Sequence, residues 1–291
     1  MLTLSPASKA KVVKWLSVSV AVSLLISTWS INGYSAYNRP VAWSDMSSID
    51  LRPALRSQYS SHGNLYEPVI SESAVELALS DADHKISKDF EVPASLKPSV
   101  RFWLNVYTQY STQHVVLFDA NDLDIVYDVI DLRELARSAR NQMVYEIVSK
   151  KRIDTAMENY RKALAALAKN PKPKNPSREQ QMIISRVKAL SHRPHSYKDL
   201  AGGLKFIRGQ RDNIVKGLLA AEAYFPKMEM IFSGMNVPPE LTRLSLVESS
   251  FDLKATSKVG ASGVWQFMPN IGKKFLVIDE KIQVDERRSP L

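Results

Sequence analysis

The 291-residue chain contains no cysteine. This absence excludes disulfide bonds, thiolate metal ligands, a cysteine nucleophile and a cysteine that carries a lipid. The chain also lacks an internal repeat, a P-loop, a GxSxG element and a dinucleotide-binding fingerprint. We therefore expect any chemistry to rest on acidic and polar side chains near the C-terminal end, where the most specific motifs lie.

Nucleic-acid motifs are also missing, although the formal net charge is +9. A basic balance suits nucleic acid, an anionic membrane or an acidic polymer. No basic run is interleaved with aromatic side chains, and no zinc-type motif is present, so a nucleic-acid partner is not expected. A solvated basic surface is the favoured interpretation of the charge. With 45% hydrophobic and 24% charged residues, the chain has the composition of a globular protein with one large or two small cores.

The N-terminus carries a targeting pattern. Three lysines between residues 9 and 14 precede an uncharged, apolar run at residues 15–31. This pattern predicts a signal anchor or a signal peptide within residues 1–31, with the lysines on the cytoplasmic side and the rest of the chain exported. Tyr34-Ser35-Ala36 puts a bulky residue where a cleavage site needs a small one, which favours an uncleaved anchor.

The middle of the chain divides into two predicted regions. Residues 32–98 are rich in Ser, Tyr, Asp and Pro, and they predict a loosely structured stalk with one short helix near residues 73–79. Residues 99–200 predict a helical region with a β-hairpin at about 114–130. The polar turn of this hairpin, at residues 119–124, lacks the glycine and the terminal glutamate of an EF-hand, so we expect a turn and not a calcium loop.

After the hairpin, apolar side chains recur every three or four residues, which predicts two amphipathic helices or one long bent helix. The apolar stripe comprises Leu132, Leu135, Ala139, Met143, Ile147, Ile153, Met157, Tyr160, Leu164 and Leu167. Three prolines within residues 169–176 must end this helical stretch, and Ser177 is the predicted N-cap of the next helix. His192 and His195 lack a third ligand, so no metal site is expected.

A carboxylate on a predicted apolar helix face is the candidate functional group. Pro238-Pro239-Glu240 is a helix-start signal, and the following helix would place Glu248 on one face with Leu241, Leu244 and Phe251. Desolvation among apolar side chains raises the pKa of a carboxyl group and lets it donate a proton near neutral pH, as a glycosidase acid does. The alternative is a structural salt bridge from Glu248 to Arg243 or Lys254, and spacing alone does not separate the two.

Several motifs in fixed order surround this glutamate: Glu248-Ser249-Ser250-Phe251, Ser257, Gly260-Ala261-Ser262-Gly263 and Trp265-Gln266-Phe267-Met268-Pro269. Together they resemble the front half of the catalytic domain of the lytic transglycosylases, whose fold is lysozyme-like. Upstream, Gly209-Gln210-Arg211-Asp212 and Tyr224-Phe225-Pro226-Lys227-Met228-Glu229 resemble the lead-in of the membrane-bound D-type branch. The expected fold is therefore mainly α with a small β-hairpin, in which a helical N-terminal region precedes a partial, mostly helical α+β catalytic domain at residues 201–291.

The resemblance implies a peptidoglycan lytic transglycosylase of the bacterial cell envelope that uses no cofactor and no metal. In this family one glutamate protonates the glycosidic oxygen between N-acetylmuramic acid and N-acetylglucosamine, then acts as a base and draws the sugar's own C6 hydroxyl onto C1, which gives a 1,6-anhydro product. Glu248 matches that glutamate. Six more positions are assigned to the substrate groove or its support: Ser257, Gln266, Met268, Ser249, Gly260 and Gly263.

The resemblance also sets an expectation about the end of the chain. The family continues beyond the position of Leu291 through several helices with an Ala-Tyr-Asn type motif and a groove tyrosine, so we expect a C-terminally truncated domain with impaired activity. The alternative is a non-catalytic, membrane-anchored protein that binds or scaffolds peptidoglycan. In both cases the expected partners are peptidoglycan glycan strands and, through the N-terminal segment, the inner membrane, with the chain facing the periplasm.

Overall fold

The computed structural model describes residues 72–81, 86–190, 196–279 and 281–291. The predicted anchor, most of the predicted stalk, His192 and His195 lie outside these residues. The described chain forms two compact units: residues 95–211 make the middle unit, and the described residues before 95 group with residues 212–291 in the C-terminal unit. Within the described ranges no helix is both long enough and apolar enough to cross a membrane.

The described residues are mainly helical, with two small antiparallel sheets, so the predicted fold class is confirmed. In chain order the elements are α1 (Glu72–Ser80), α2 (Lys97–Thr108), β1 (His114–Asp119), β2 (Val126–Asp131), α3 (Arg133–Ser138), α4 (Gln142–Lys169), α5 (Arg178–Ala189), α6 (Tyr197–Gly203), β3 (Leu204–Arg208), α7 (Arg211–Ala221), α8 (Phe225–Gly234), α9 (Leu244–Ser249), α10 (Pro269–Phe275), β4 (Ile278–Asp279) and β5 (Val284–Asp285). The short helix expected near residues 73–79 is α1.

The predicted β-hairpin is confirmed as β1 and β2, but it is part of a three-stranded sheet. The strand order is β2-β1-β3, and both pairings with β1 are antiparallel. Every residue of the central strand β1 is buried, as expected for a strand with a neighbour on each side. Strand β3 was not predicted, because its five residues include exposed Lys205 and Phe206 and its identity comes from pairing with β1.

The hairpin turn is held by hydrogen bonds to the Asp119 carboxylate. One carboxylate oxygen of Asp119 accepts hydrogen bonds from the backbone N–H groups of Asn121 at 2.8 Å and Asp122 at 3.0 Å. The other accepts from the Tyr127 hydroxyl at 3.2 Å. Such side-chain to backbone bonds are typical of Asx turns. The turn interpretation is therefore confirmed.

The predicted apolar stripe is correct at Leu132 and Leu135 and again from Ile153 onward, and it is wrong at Met143 and Ile147 between them. Ile153, Tyr160, Leu164 and Leu167 are buried and belong to the core of the middle unit. Met143 and Ile147 were predicted on the same stripe, yet they are 70% and 62% exposed. The reason is a break between α3 and α4, where Asn141 caps α4 by accepting the Val144 N–H. The core contacts of the first turns of α4 come from Tyr145 and Val148 instead.

The boundaries after α4 follow the local sequence. Helix α4 ends at Lys169, before the three prolines, and Ser177 begins α5 with a capping box in which Ser177 and Gln180 exchange side-chain to backbone bonds. The end of α4 and the start of α5 confirm the predictions from proline and serine. Helix α8 ends at Gly234, and the left-handed residue that follows it is Asn236, with φ of 57°.

A buried arginine organises the C-terminal unit beside the Glu248 segment. Arg243 is ion-paired with Glu229, donates to the Thr242 hydroxyl at 2.6 Å and lies 4.0 Å above the ring of Phe225. Burial lowers the pKa of Arg243 to about 10, so it stays charged at neutral pH. Arg243 forms its ion pair with Glu229 and not with Glu248. The alternative in which Arg243 forms a structural salt bridge with Glu248 is therefore wrong.

Candidate active site

Glu248 lies at the end of a short helix whose phase differs from the prediction. Residues Pro239–Arg243 form a 3₁₀ turn, and only Leu244–Ser249 are α-helical. A 3₁₀ helix rotates about 20° more per residue than an α-helix. Five residues of 3₁₀ helix therefore rotate the following side chains, including Glu248, by roughly 100° about the axis relative to a continuous α-helix. Glu248 is consequently exposed. The expectation that it shares a buried face with Leu241 and Leu244 is wrong.

The backbone after Glu248 turns sharply and returns one apolar side chain to the core. Ser250 and Phe251 both adopt positive φ values, 52° and 56°. This turn buries the Phe251 ring between Tyr224 and Phe225, each with a ring centroid 5.6 Å away. Helix α9 is therefore anchored immediately after its exposed glutamate, which holds Glu248 at the protein surface.

The electrostatic setting of Glu248 suits a proton donor. Among the residues that the structure describes, its carboxylate has no ion-pair partner and no hydrogen-bond donor. Partial desolvation by the surrounding protein raises its pKa above the ordinary glutamate value. The predicted direction of the pKa shift is confirmed, although the side chain is exposed. A carboxyl group with these properties is reachable from solvent and holds its proton to higher pH than a free glutamate.

The raised pKa predicts how Glu248→Gln changes stability with pH. The folded state binds the Glu248 proton more tightly than the unfolded state, so the ionised group lowers the free energy of unfolding as pH rises from the ordinary value of 4.5 through the raised pKa. Glutamine removes this penalty. We expect the variant to melt at a higher temperature than the natural chain at pH 7.

The difference between the two melting temperatures should shrink towards zero below pH 4.5, where the carboxyl is protonated in both states. Thermal melts of both chains from pH 4 to pH 8 measure it. A destabilised variant at pH 7, or a gain that is independent of pH, would contradict the shift.

Ser249 connects the Glu248 helix to the loop that carries the other predicted site residues. Its hydroxyl lies within hydrogen-bond distance of two backbone carbonyls, that of Val264 at 3.1 Å and that of Ser245 at 3.2 Å, and it can donate its proton to either. Val264 is fully buried. Ser249 thus acts on this loop through a backbone contact, and its place in the substrate groove stays a prediction.

Ser257 and Gly260 form a closed turn at the start of that loop. The Ser257 N–H donates to the Ala261 carbonyl at 2.8 Å, and the Ser257 hydroxyl accepts from the Ala261 N–H at 2.9 Å. Gly260 has a φ of +87°, a conformation that glycine adopts without strain. The hydroxyl of Ser257 therefore has a structural partner, and its contact with a glycan stays a prediction.

Gln266 and Met268 face different surroundings at the end of the loop. Gln266 has a φ of +51° and donates its side-chain amide to the Gly263 carbonyl at 2.8 Å, so the nitrogen of this amide stabilises the loop itself. Met268 and its neighbour Phe267 are 38% and 39% exposed. These two side chains leave apolar surface in contact with solvent beside a loop whose polar groups are largely paired.

Arg287 fixes the loop from outside, and sequence analysis did not identify it. Its guanidinium forms two bonds to the Asp285 carboxylate, at 2.9 and 2.7 Å. A third nitrogen donates to the carbonyls of Gly260 at 2.9 Å and Phe267 at 3.1 Å. The backbone of Arg287 also lies against Gly263, where a Cβ atom would approach the Arg287 carbonyl to 1.8 Å. The Asp-x-Arg spacing was the available signal, but it is too common to indicate this role.

We expect Arg287→Lys to destabilise the C-terminal unit by about 1.5–3 kcal/mol, because lysine keeps the charge but cannot make the planar, forked contacts. Arg288→Lys is the matched control, since Arg288 is exposed and an exposed substitution costs less than about 0.5 kcal/mol. Denaturant unfolding of both variants measures the difference. Equal stability of the two variants would show that the contacts of Arg287 do not hold the loop.

Comparison with known families identifies the segment that contains these features. Residues 233–291 match the model of the family described as Transglycosylase SLT domain. This segment, which contains Glu248 and the loop that Arg287 fixes, is therefore similar to the transglycosylase SLT family. The resemblance to lytic transglycosylases inferred from the motifs is confirmed.

Two curated relatives both have the name membrane-bound lytic murein transglycosylase D, one from Escherichia coli strain K12 and one from Escherichia coli O6:H1. Each is 40% identical to this chain over 57 residues, which is 20% of this chain and 13% of the relative. The match thus covers far less than two thirds of the relatives' own length. No solved structure matches the chain significantly.

Proposed function

We propose that this protein is a peptidoglycan lytic transglycosylase of the D-type branch, with Glu248 as its catalytic acid and base. The observation that carries the proposal is the state of one carboxyl group. Glu248 is exposed, has no partner among the described residues and has a raised pKa, and the motif that contains it resembles that of the family's catalytic glutamate. A group that must first give and then take the same proton works best with a pKa near the working pH.

The proposed reaction cleaves the β-1,4 bond between N-acetylmuramic acid and N-acetylglucosamine. Protonated Glu248 gives its proton to the bridging oxygen as the bond from that oxygen to C1 of the muramic acid breaks. The resulting carboxylate then takes the proton of the C6 hydroxyl on the same sugar, and O6 bonds to C1. The proton returns to Glu248, no water is consumed and the product carries a 1,6-anhydro ring. One carboxyl group is enough, whereas most glycosidases use two.

The loop from Ser257 to Met268 would form one side of the sugar groove. Ser257 and Gln266 already form hydrogen bonds with the loop backbone and so stabilise its conformation. Their remaining donor and acceptor atoms would bind the acetamido groups of the glycan. Met268 supplies an exposed apolar wall. Gly260 and Gly263 allow the tight backbone path, and Ser249 ties that path to the Glu248 helix.

The proposed place of action is the bacterial cell envelope. Residues 15–31 would anchor the chain in the inner membrane, with the SLT segment in the periplasm, and peptidoglycan glycan strands would be the partner. The names of the two curated relatives contain both terms, membrane-bound and murein, which supports this location. Adding protease to intact cells and to spheroplasts tests it, because a periplasmic SLT segment should be degraded only after the outer membrane has been opened.

Digestion of purified sacculi tests the activity. The full chain, Glu248→Gln and Glu222→Gln are incubated with sacculi, and the released muropeptides are separated by mass. Glu222 is an exposed glutamate of the same compact unit, so its variant controls for loss of one negative charge. We expect anhydromuropeptides from the natural chain and from Glu222→Gln at similar rates, and release at least about 10²-fold slower from Glu248→Gln. Sacculus binding without release by the natural chain would favour a non-catalytic peptidoglycan-binding protein and overturn the enzyme proposal.

A further inference from the structure

Helix α4 begins with an exposed apolar surface that the core does not use. Met143, Val144 and Ile147 are 70%, 38% and 62% exposed. Residues three and four positions apart are neighbours on a helix, so these three side chains form one continuous cluster. Tyr145 and Val148 lie on the side of the helix that packs against the core. The cluster therefore points away from the middle unit.

Unpaired cations border this cluster. Arg140 lies two positions before the first residue of the helix, and Lys150 and Lys151 follow Ile147 by three and four positions; all three are exposed. Within the described ranges none of the three forms an ion pair. Two acidic residues lie nearby: Glu146, which accepts a hydrogen bond from Gln142, and Asp154 one turn further along. The three cations outnumber the two acids, with one cation before the apolar cluster along the chain and two after it.

The charge of the chain is concentrated in the unit that carries this surface. Residues 95–211 contain 21 Lys and Arg against 11 Asp and Glu, which gives a net charge of +10. The whole chain has a net charge of +9, so the remainder is close to neutral. A field of this size attracts anionic surfaces over a Debye length of about 8 Å at physiological ionic strength.

We propose that the start of α4 docks on an anionic phospholipid bilayer. Met143, Val144 and Ile147 would enter the boundary between headgroups and acyl chains, while Arg140, Lys150 and Lys151 contact lipid phosphates. Exposed apolar side chains beside basic ones are the pattern of an interfacial helix, and clustered basic residues are attracted to anionic lipid. This inference rests on the middle unit alone and does not depend on the function proposed for the SLT segment.

Other occupants fit the surface less well. A soluble polyanion or a glycan strand would use the cations but leave the apolar cluster in water. A second copy of the chain would bury the apolar cluster, but it would bring the basic borders of both copies together, and like charges at an interface are repulsive. A lipid surface satisfies both halves of the pattern because it offers phosphate and hydrocarbon at adjacent depths.

The absence of cysteine makes a direct test available. In the full-length chain, Ile147→Cys provides a single attachment point for an environment-sensitive fluorophore, and Ser185→Cys provides the control at an exposed position on α5. Both proteins are reconstituted in vesicles of phosphatidylglycerol and phosphatidylethanolamine, and in vesicles of phosphatidylcholine. Because both carry the same N-terminal segment, a difference between them reports on α4 alone.

We expect the fluorophore at position 147, in anionic vesicles, to shift to shorter emission wavelength and to be quenched by a lipid-soluble quencher. Neither effect is expected at position 185 or in neutral vesicles, and Lys150→Glu with Lys151→Glu should abolish both at position 147. No shift at 147 in anionic vesicles, or equal shifts at 147 and 185, overturns the proposal. A shift without lipid that grows with protein concentration assigns the surface to a second copy, and a shift on sacculi alone assigns it to peptidoglycan; both also overturn it.

Discussion

Replacing Glu248 by glutamine is expected to lower the initial rate of anhydromuropeptide release by about 10²–10⁴-fold, the usual contribution of a general acid or base. Glutamine has nearly the same shape and cannot give up or take a proton in this range. Substrate binding should therefore be retained while the chemical step is lost. Rates of product release from purified sacculi, at substrate concentrations above and below saturation, separate the two effects.

The same experiment has an internal check in its pH dependence. The protonated form of Glu248 is the acid, so the rate of the natural chain should fall as pH rises past the raised pKa of this carboxyl. The residual rate of Glu248→Gln should lose that dependence, and Glu222→Gln should keep the rate and the profile of the natural chain. A rate for Glu248→Gln within twofold of the natural rate would remove Glu248 from the mechanism.

A single methyl group at Gly263 is expected to destabilise the C-terminal unit by about 2–5 kcal/mol. Gly263 has a φ of +76°, which costs a residue with a Cβ atom about 1–2 kcal/mol. In addition, the Cβ atom would lie 1.8 Å from the backbone carbonyl oxygen of Arg287, and relieving such overpacking costs about 1–3 kcal/mol more. Denaturant unfolding of Gly263→Ala measures the combined loss, and the loop must shift even where the unit still folds.

Gly260→Ala is the matched control for this prediction. Gly260 also has a positive φ, +87°, but a Cβ atom there would meet only Pro269, at an ordinary contact distance of 3.6 Å. The control should lose about 1–2 kcal/mol from backbone strain alone. If both variants lose the same free energy of unfolding, the close approach of the Arg287 backbone to Gly263 does not determine the loop.

The features that sequence predicted correctly are those set by local chemistry. The hairpin, the turn at Asp119, the helix end before the prolines and the cap at Ser177 all depend on residues within a few positions of each other. The direction of the Glu248 pKa shift also followed from desolvation, whereas the catalytic role that the surrounding motif suggests for Glu248 stays a proposal.

The features that sequence missed depend on contacts between distant residues. Strand β3 exists because it pairs with β1, and Arg287 reaches the carbonyls of Gly260 and Phe267, which are 27 and 20 positions away. The predicted orientation of Glu248 was wrong because a 3₁₀ turn before it changed the phase of the helix. Met143 and Ile147 were assigned to the core because periodicity continued across a break in the chain, and their exposure led to the proposed membrane surface.

Product analysis in water enriched in ¹⁸O tests the central claim most directly. If Glu248 draws the C6 hydroxyl of the muramic acid onto C1, the oxygen that closes the ring comes from the sugar and not from solvent. We predict that muropeptides released by the full chain end in a 1,6-anhydro ring and carry no ¹⁸O at C1. Release of muropeptides with a reducing end that contains ¹⁸O would show hydrolysis by water, and it would contradict the proposed mechanism even if Glu248 is essential.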